Sequence, residues 1–226
     1  EHVPAGIVDQ NVDRTEGGAD GGDGGDDGGE IGNVADEGLR RAASRRLPKR
    51  ERMALYVPEH PDTVWSADFM LDALACGRSF RTFNIIDDFN REIVHIEVDT
   101  SITSQRLVRI FEQIRQERPL PQVLRTDNGP EFLGEAFTAW AKVNGMAIQY
   151  IQPGKPNQNA YIERFNRTYR EDVLDRYLFA RLDDVREATW RFLIDYNEHR
   201  EHDALNGMTP IEYRNQPARR STFEMS

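Results

Sequence analysis

The sequence predicts an α/β domain built on a five-stranded mixed sheet, with its first three strands antiparallel and helices on both faces. Two observations predict it. Three apolar segments between Val64 and Val98 follow one another with only short turns between them, which is read most economically as an antiparallel meander. From Ser104 onward, segments of helical and strand periodicity alternate, the pattern of a layered α/β domain. At 226 residues the chain has room for one such domain and its extensions.

Val64 to Leu71 is the first strand, with Asp68 set among Trp65, Ala67, Phe69 and Met70. Aspartate is unfavourable inside a strand and costs free energy when buried unpaired, so Asp68 asks for a partner. Ala75-Cys76-Gly77-Arg78-Ser79 supplies a turn, and Phe83 to Asp88 and Glu92 to Val98 are the next strands. Asp87 and Asp88 flank the Phe89-Asn90-Arg91 turn, where local hydrogen bonding accounts for aspartate; membership of an acid cluster is the alternative. Ser104 to Gln116 is a helix with Leu107, Ile110, Phe111 and Ile114 along one stripe, ended by Pro119 and Pro121. Val123 to Thr126 is the fourth strand, after which Asp127-Asn128-Gly129 turns the chain sharply.

A continuous helix is expected from Pro130 to Asn144, burying Phe132, Ala136, Trp140 and Val143, with Gly145 just past its end. Met146 to Ile151 is the fifth strand, and Gln152 to Ala160 is a polar loop. The helix from about Asn159 to Arg176 puts Ile162, Phe165, Tyr169 and Val173 toward the core and Glu163, Arg167 and Arg170 on a neighbouring face. A last helix, Leu182 to Glu198, buries Val185, Phe192, Leu193 and Tyr196.

The net charge of −10 argues at face value against a nucleic-acid partner. The charge is concentrated, however. Residues 1–37 hold eleven acids against Arg14, while 38–226 hold 28 acids and 28 bases. Residues 16–33 are almost wholly Gly, Asp and Glu, a composition that predicts disorder; it reads as a charged interaction tail or DNA mimic, or as a plain solvated extension. Arg40, Arg41, Arg45, Arg46, Lys49 and Arg50 then form a basic block, able to track a phosphate backbone or to pair with the acidic tail. Val57 to Pro61 reads as an extended linker. The organisation is therefore an acidic tail (1–37), a basic linker (38–62), a folded core (63–200) and a C-terminal extension (201–226). A single cysteine, Cys76, suits a reducing compartment, and no apolar run is long enough to span a membrane, so a cytoplasmic, nucleoid-associated protein is expected.

Asp68, Asp127 and Glu163 are acids in places where an acid needs explaining. If the first and fourth strands are neighbours, the three carboxylates meet at one edge. The alternative is three satisfied or solvent-facing acids. Clustered, they would repel one another and need a cation. All-oxygen ligands suit Mg²⁺ or Mn²⁺, and a pair of ions roughly 3.5–4 Å apart supports phosphoryl transfer on a nucleic-acid backbone. Lys155, Arg167 and Arg170 would then contact phosphates.

The stretches VWSADFM, NIIDDFNREIVHIEVDTS, LRTDNGPEF, IQPGKPNQNAYIERFNRTYRED and YNEHREHDALNGMTPIEY resemble the catalytic half of bacterial insertion-sequence transposases of the DDE type (orfB-like). These share the retroviral integrase catalytic core domain, and the resemblance runs from about Arg46 to Asn215. It implies a ribonuclease H-like fold, with Asp68, Asp127 and Glu163 as catalytic triad and ligands of two Mg²⁺ or Mn²⁺ ions. It further implies metal-dependent DNA strand cleavage, then strand transfer in which the freed 3′-hydroxyl attacks target DNA with no covalent protein intermediate. Asn128 and Gly129 fall on the family's turn after the second acid; Lys155, Asn157 and Gln158 fall on the loop before the helix. With Arg164, Arg167 and Arg170, and with Arg45, Arg46, Lys49 and Arg50 of the basic block, these loop residues are the expected DNA contacts. Tyr196-Asn197 to Pro210 matches the C-terminal signature, read here as packing.

The partners implied are transposon ends and target DNA, a homo-oligomer on that DNA, and an upstream-frame transposase subunit; no membrane is implied. The family's end-recognition helix-turn-helix lies upstream of the core, where this chain has its Gly/Asp-rich tail, so the chain reads as a catalytic fragment. Two other readings use the same residues: a ribonuclease H-type nuclease, and a non-catalytic transposon remnant or DNA-binding regulator.

Overall fold

The computed structural model describes residues 57–152 and 159–216. The first three strands, β1 (Val64–Ala73), β2 (Ser79–Asp87) and β3 (Ile93–Asp99), form the expected antiparallel meander. Gly77, at φ +82°, supplies the left-handed residue of the first turn. In the second, Asp87 Oδ1 accepts from the Phe89 backbone N–H at 2.9 Å, the local hydrogen bonding expected of aspartate there. The chain crosses through α1 (Ser104–Glu117) to β4 (Val123–Thr126), which is parallel to β1. It crosses again through α2 (Pro130–Leu133) and α3 (Glu135–Val143) to β5 (Ala147–Tyr150), parallel to β4. The sheet order β3-β2-β1-β4-β5 makes β1 central and β4 its neighbour.

Period-two alternation divides the side chains between two cores. Trp65, Ala67, Phe83, Ile85 and Leu124 pack with Leu107, Phe111, Phe132 and Phe137 of α1 to α3. On the opposite face Phe80, Ile86, Ile93 and Val98 meet Ile162, Phe165 and Tyr169 of α4 (Ala160–Tyr169) and Val185 and Phe192 of α5 (Leu182–Ile194). Burying one such side chain is worth about 2 kcal/mol, so the cores, more than the propensities of four-residue strands, hold the layers.

The single helix expected over 130–144 is two. At Gly134 the backbone is extended, and a Cβ there would overlap the Ser104 side chain. Ser104 Oγ accepts instead from Phe137 N at 3.1 Å. The break resets the helical phase: Phe137 and Ala141 are buried, and Val143, expected inside, is 85% exposed. The other two helices begin where expected but end in π-helical turns, Arg170–Leu174 after α4 and Asp195–His199 after α5.

Residues 201–216 pack against the sheet. Asn197 donates to Ile93 O and accepts from Ile93 N, both at 2.9 Å, occupying the free edge of β3 as a backbone would. Asn90 Nδ2 donates to Pro210 O at 2.9 Å, and the Phe89 and Tyr213 rings lie 5.2 Å apart. Thr209 and Glu212 form a reciprocal capping box on α6 (Pro210–Arg214). The C-terminal signature therefore does packing work.

Candidate active site

Parallel pairing aligns Val64 with Val123, Trp65 with Leu124 and Ser66 with Arg125. Continued two residues, that register brings Asp127, just past the end of β4, level with Asp68. Trp65, Ala67 and Leu124 point into the α1–α3 core, so alternation sends Asp68 and Asp127 to the face covered by α4. The first turn of α4 supplies Glu163. The three acids thus come to the same end of the sheet. Burial, first of all, pushes Asp68 up from 3.8 to about 6; the charges of Asp127 and Glu163 add to the rise, while hydrogen bonds at Phe69 N and Asn166 oppose it. Asp127 and Glu163 are exposed.

Two features shape the surroundings. Gly129 N donates to Asp127 Oδ1 at 3.0 Å. A Cβ at Gly129 would stand 3.0 Å from that oxygen and 3.2 Å from Glu131 Oε2, so a side chain there would press on both carboxylates. Glu131 is ion-paired with Arg81, whose guanidinium lies 4.3 Å from the centroid of the Phe69 ring beside Asp68. Asn166 Nδ2 donates to Asp68 Oδ2 at 2.8 Å, and Asn166 Oδ1 accepts from Asn84 Nδ2 at 2.7 Å. Sequence reasoning missed all four of these supporting residues. The signals were faint: Asn84 interrupts the run Phe83 to Ile86, and Asn166 sits on the apolar stripe of α4 one turn after Glu163.

The expected bases separate. Arg164 and Arg167 are exposed and make no ion pair among the described residues. Arg170, expected on the same face as Glu163, is carried by the π-helical turn onto the end of β1. There it donates to Leu71 O at 3.1 Å and pairs with Asp72 at 3.3 Å and Asp175 at 3.4 Å. Lys155, Asn157, Gln158, Arg45, Arg46, Lys49 and Arg50 lie outside the described residues, as do the acidic tail and residues 217–226.

Among the described residues no three His, Cys, Asp or Glu side chains lie close enough to enclose a metal ion. The chemistry of the triad nevertheless fits a hard divalent cation. The donors are all carboxylate oxygens, and none has an ion-pair partner among the described residues.

A central β1 flanked by antiparallel β2 and parallel β4, with acids in the middle of β1, just past the end of β4 and on the helix after β5, gives the ribonuclease H-like fold of the integrase core type. Two family models, both described as integrase core domain, match residues 58–156 and 144–210, and the chain belongs to that family. It is 42% identical over 177 residues to the insertion element IS407 uncharacterized 31.7 kDa protein of Burkholderia multivorans, covering 77% of this chain and 63% of that protein. It is 29% identical to the transposase for insertion sequence element IS629 of Shigella sonnei, covering 70% of this chain and 53% of that one. The chain therefore spans between about half and 63% of the length of these curated relatives. The HTLV-2 integrase catalytic core domain in complex with magnesium superposes with a TM-score of 0.55 at 19% identity, over 69% of this chain and 97% of that one, and shares the fold. Among the described residues no helix is long and apolar enough to cross a membrane.

Proposed function

We propose that the chain is the catalytic core of an insertion-sequence transposase, a polynucleotidyl transferase that cleaves DNA at the element's ends and joins the freed 3′-hydroxyl to target DNA. The observation that carries the reading is the convergence of Asp68, Asp127 and Glu163 on one end of the sheet without a cationic partner among the described residues. The family membership and the transposase relatives support it.

Asp68, Asp127 and Glu163 would hold two Mg²⁺ or Mn²⁺ ions, which when bound polarise the scissile phosphate and acidify the attacking water or 3′-hydroxyl. Asn166 engages one Asp68 oxygen with an uncharged donor. The turn at Gly129 holds Asp127 facing the same space. Arg164 and Arg167 project from the helix that carries Glu163, and with Lys155, Asn157, Gln158 and the basic block they would contact DNA phosphates. Pairing two element ends calls for two or more protomers, and an upstream-frame subunit would supply end recognition.

The test is a nicking and strand-transfer assay on a labelled duplex bearing the element's ends, with Mg²⁺ or Mn²⁺, run beside Asp127→Asn. Metal-dependent products from the unmodified chain alone are expected. Products that persist in Asp127→Asn would sink the triad. A folded chain that yields none, even with its upstream-frame partner, would favour a non-catalytic remnant.

A further inference from the structure

Asn84 lies in the middle of β2, fully buried, between Phe83 and Ile85. A buried amide is tolerated when its hydrogen bonds are made and is costly when they are not. Asn84 makes one: its Nδ2 reaches Asn166 Oδ1, while its Oδ1 is buried without a partner among the described residues. An apolar residue at 84 would remove that orphaned oxygen but leave Asn166 Oδ1 without its donor, so the asparagine is explained only together with Asn166.

The active site explains both. Asp68 and Asn84 are directly opposed across β1 and β2, and Asn166 of α4 spans them. An ionised carboxylate only accepts, so Asn166 must present its NH₂ to Asp68; its oxygen then faces Asn84, which must answer with its own NH₂ and leave its own oxygen orphaned. Every link in the chain is dictated from Asp68. Asn166 also stands three residues after Glu163, so the same bonds hold the helix carrying the third acid in register with the strand carrying the first.

We propose that Asn84 is a positioning residue of this site, acting through Asn166 to hold the Asp68 carboxylate in the orientation that receives a divalent cation. The proposal rests on the metal-dependent strand-transfer reading above.

Asn84→Leu in the full chain tests it through three measurements: thermal melting, Mn²⁺ affinity by calorimetric titration, and single-turnover strand cleavage. The variant should still melt cooperatively, while Mn²⁺ affinity and cleavage rate should each fall about tenfold or more, as when other outer partners of metal ligands are removed. Asn166→Ala should lower both, and adding Asn84→Leu to it should lower them no further. Asn84→Ala adds no volume and gives the same comparison should leucine disturb the strand. Unchanged Mn²⁺ affinity in a folded Asn84 variant, or additive losses in the double variant, would overturn the relay and leave the strand-transfer reading intact. Weakened Mn²⁺ binding together with no cleavage by the unmodified chain, even with its upstream-frame partner, would uphold the relay and overturn that reading.

Discussion

The start and the middle of β1 both gather acids, and the fold treats the two groups in opposite ways. At the start of the strand, Arg118 lies 2.6 Å from Asp62 and 2.9 Å from Glu92, Arg214 lies 2.6 Å and 2.8 Å from the same two acids, and Arg125 lies 2.7 Å from the fully buried Asp88. About 13 Å further along the strand, Asp68, Asp127 and Glu163 have no such partner among the described residues, and Asp68 receives an uncharged amide instead. Arginines do stand nearby, but Arg81 is paired with Glu131 and Arg170 with Asp72. Acids that serve the fold are neutralised within it. Acids left without a cation are where the proposed function puts an outside one.

The sharpest way to break the comparison is to remove one charge from each group. Asp127→Asn should abolish strand transfer, a loss of roughly 4 kcal/mol of transition-state stabilisation or about a thousandfold in rate. Its thermal stability without metal should stay the same or improve, because one of the charges acting on Asp68 is gone. Mg²⁺ should raise the melting temperature of the unmodified chain and not of the variant, as differential scanning fluorimetry would show. A clear drop in metal-free stability would mean that Asp127 is a structural acid after all.

Arg125→Met strikes the other group and should act on stability alone. It leaves Asp88 buried without its partner, which typically costs about 3–4 kcal/mol, read from urea unfolding. Arg125→Met combined with Asp88→Asn should recover much of that loss, because no charge is then stranded. If the double variant is no better than the single one, the pair is not the reason Arg125 is buried.

This pair also shows how far the sequence was readable. Strand and helix periodicity gave the elements in order, and Asp68, Asp127 and Glu163 stood out because each broke a local rule. Arg125 and Asp88 broke none that could be seen: an arginine in a four-residue strand and an aspartate beside a turn both have ordinary local explanations. Their pairing needs the order of β4 beside β1. Asn84 and Asn166 were hidden for the same reason, being partners 82 residues apart with no charge to betray them. The break at Gly134 came from the close approach of Ser104 on α1, and no pattern within residues 130–144 encodes that neighbour.

A smaller effect separates the two groups by pH. Burial raises Asp87 from 3.8 to about 6, with the charge of Asp62 adding to the rise and Arg118 and the backbone N–H groups of Asp62 and Phe89 opposing it. A carboxyl whose folded value is raised holds its proton longer in the native state. Its contribution is therefore fully present below 3.8 and is lost as pH climbs through about 6. Between about pH 4 and pH 7 the metal-free chain should lose about 2 kcal/mol more unfolding free energy than Asp87→Asn. Asp68 bends both curves alike and cancels in the difference. Parallel curves for the two chains would show that Asp87 is already ionised at low pH.

The smallest expected effect is that of Arg214→Ala, and it tests whether burial or mere pairing sets the value of these ion pairs. Arg214 and Arg118 share Asp62 and Glu92, so removing Arg214 leaves each acid with one arginine, and Arg118 is further held near Asp87 at 3.9 Å and over Trp65 at 5.2 Å. The Arg214 side chain is 26% exposed, whereas that of Arg125 is 9%, and water screens the more exposed charge. Arg214→Ala should therefore cost only about 1 kcal/mol, shrink further in high salt, and leave strand transfer unchanged. A loss as large as that of Arg125→Met would mean that α6 is held chiefly through this arginine. Residues 201–216 would then belong to the folding unit as firmly as the sheet does, and their packing around Asn90 and Tyr213 would follow from the ion pair instead of supporting it.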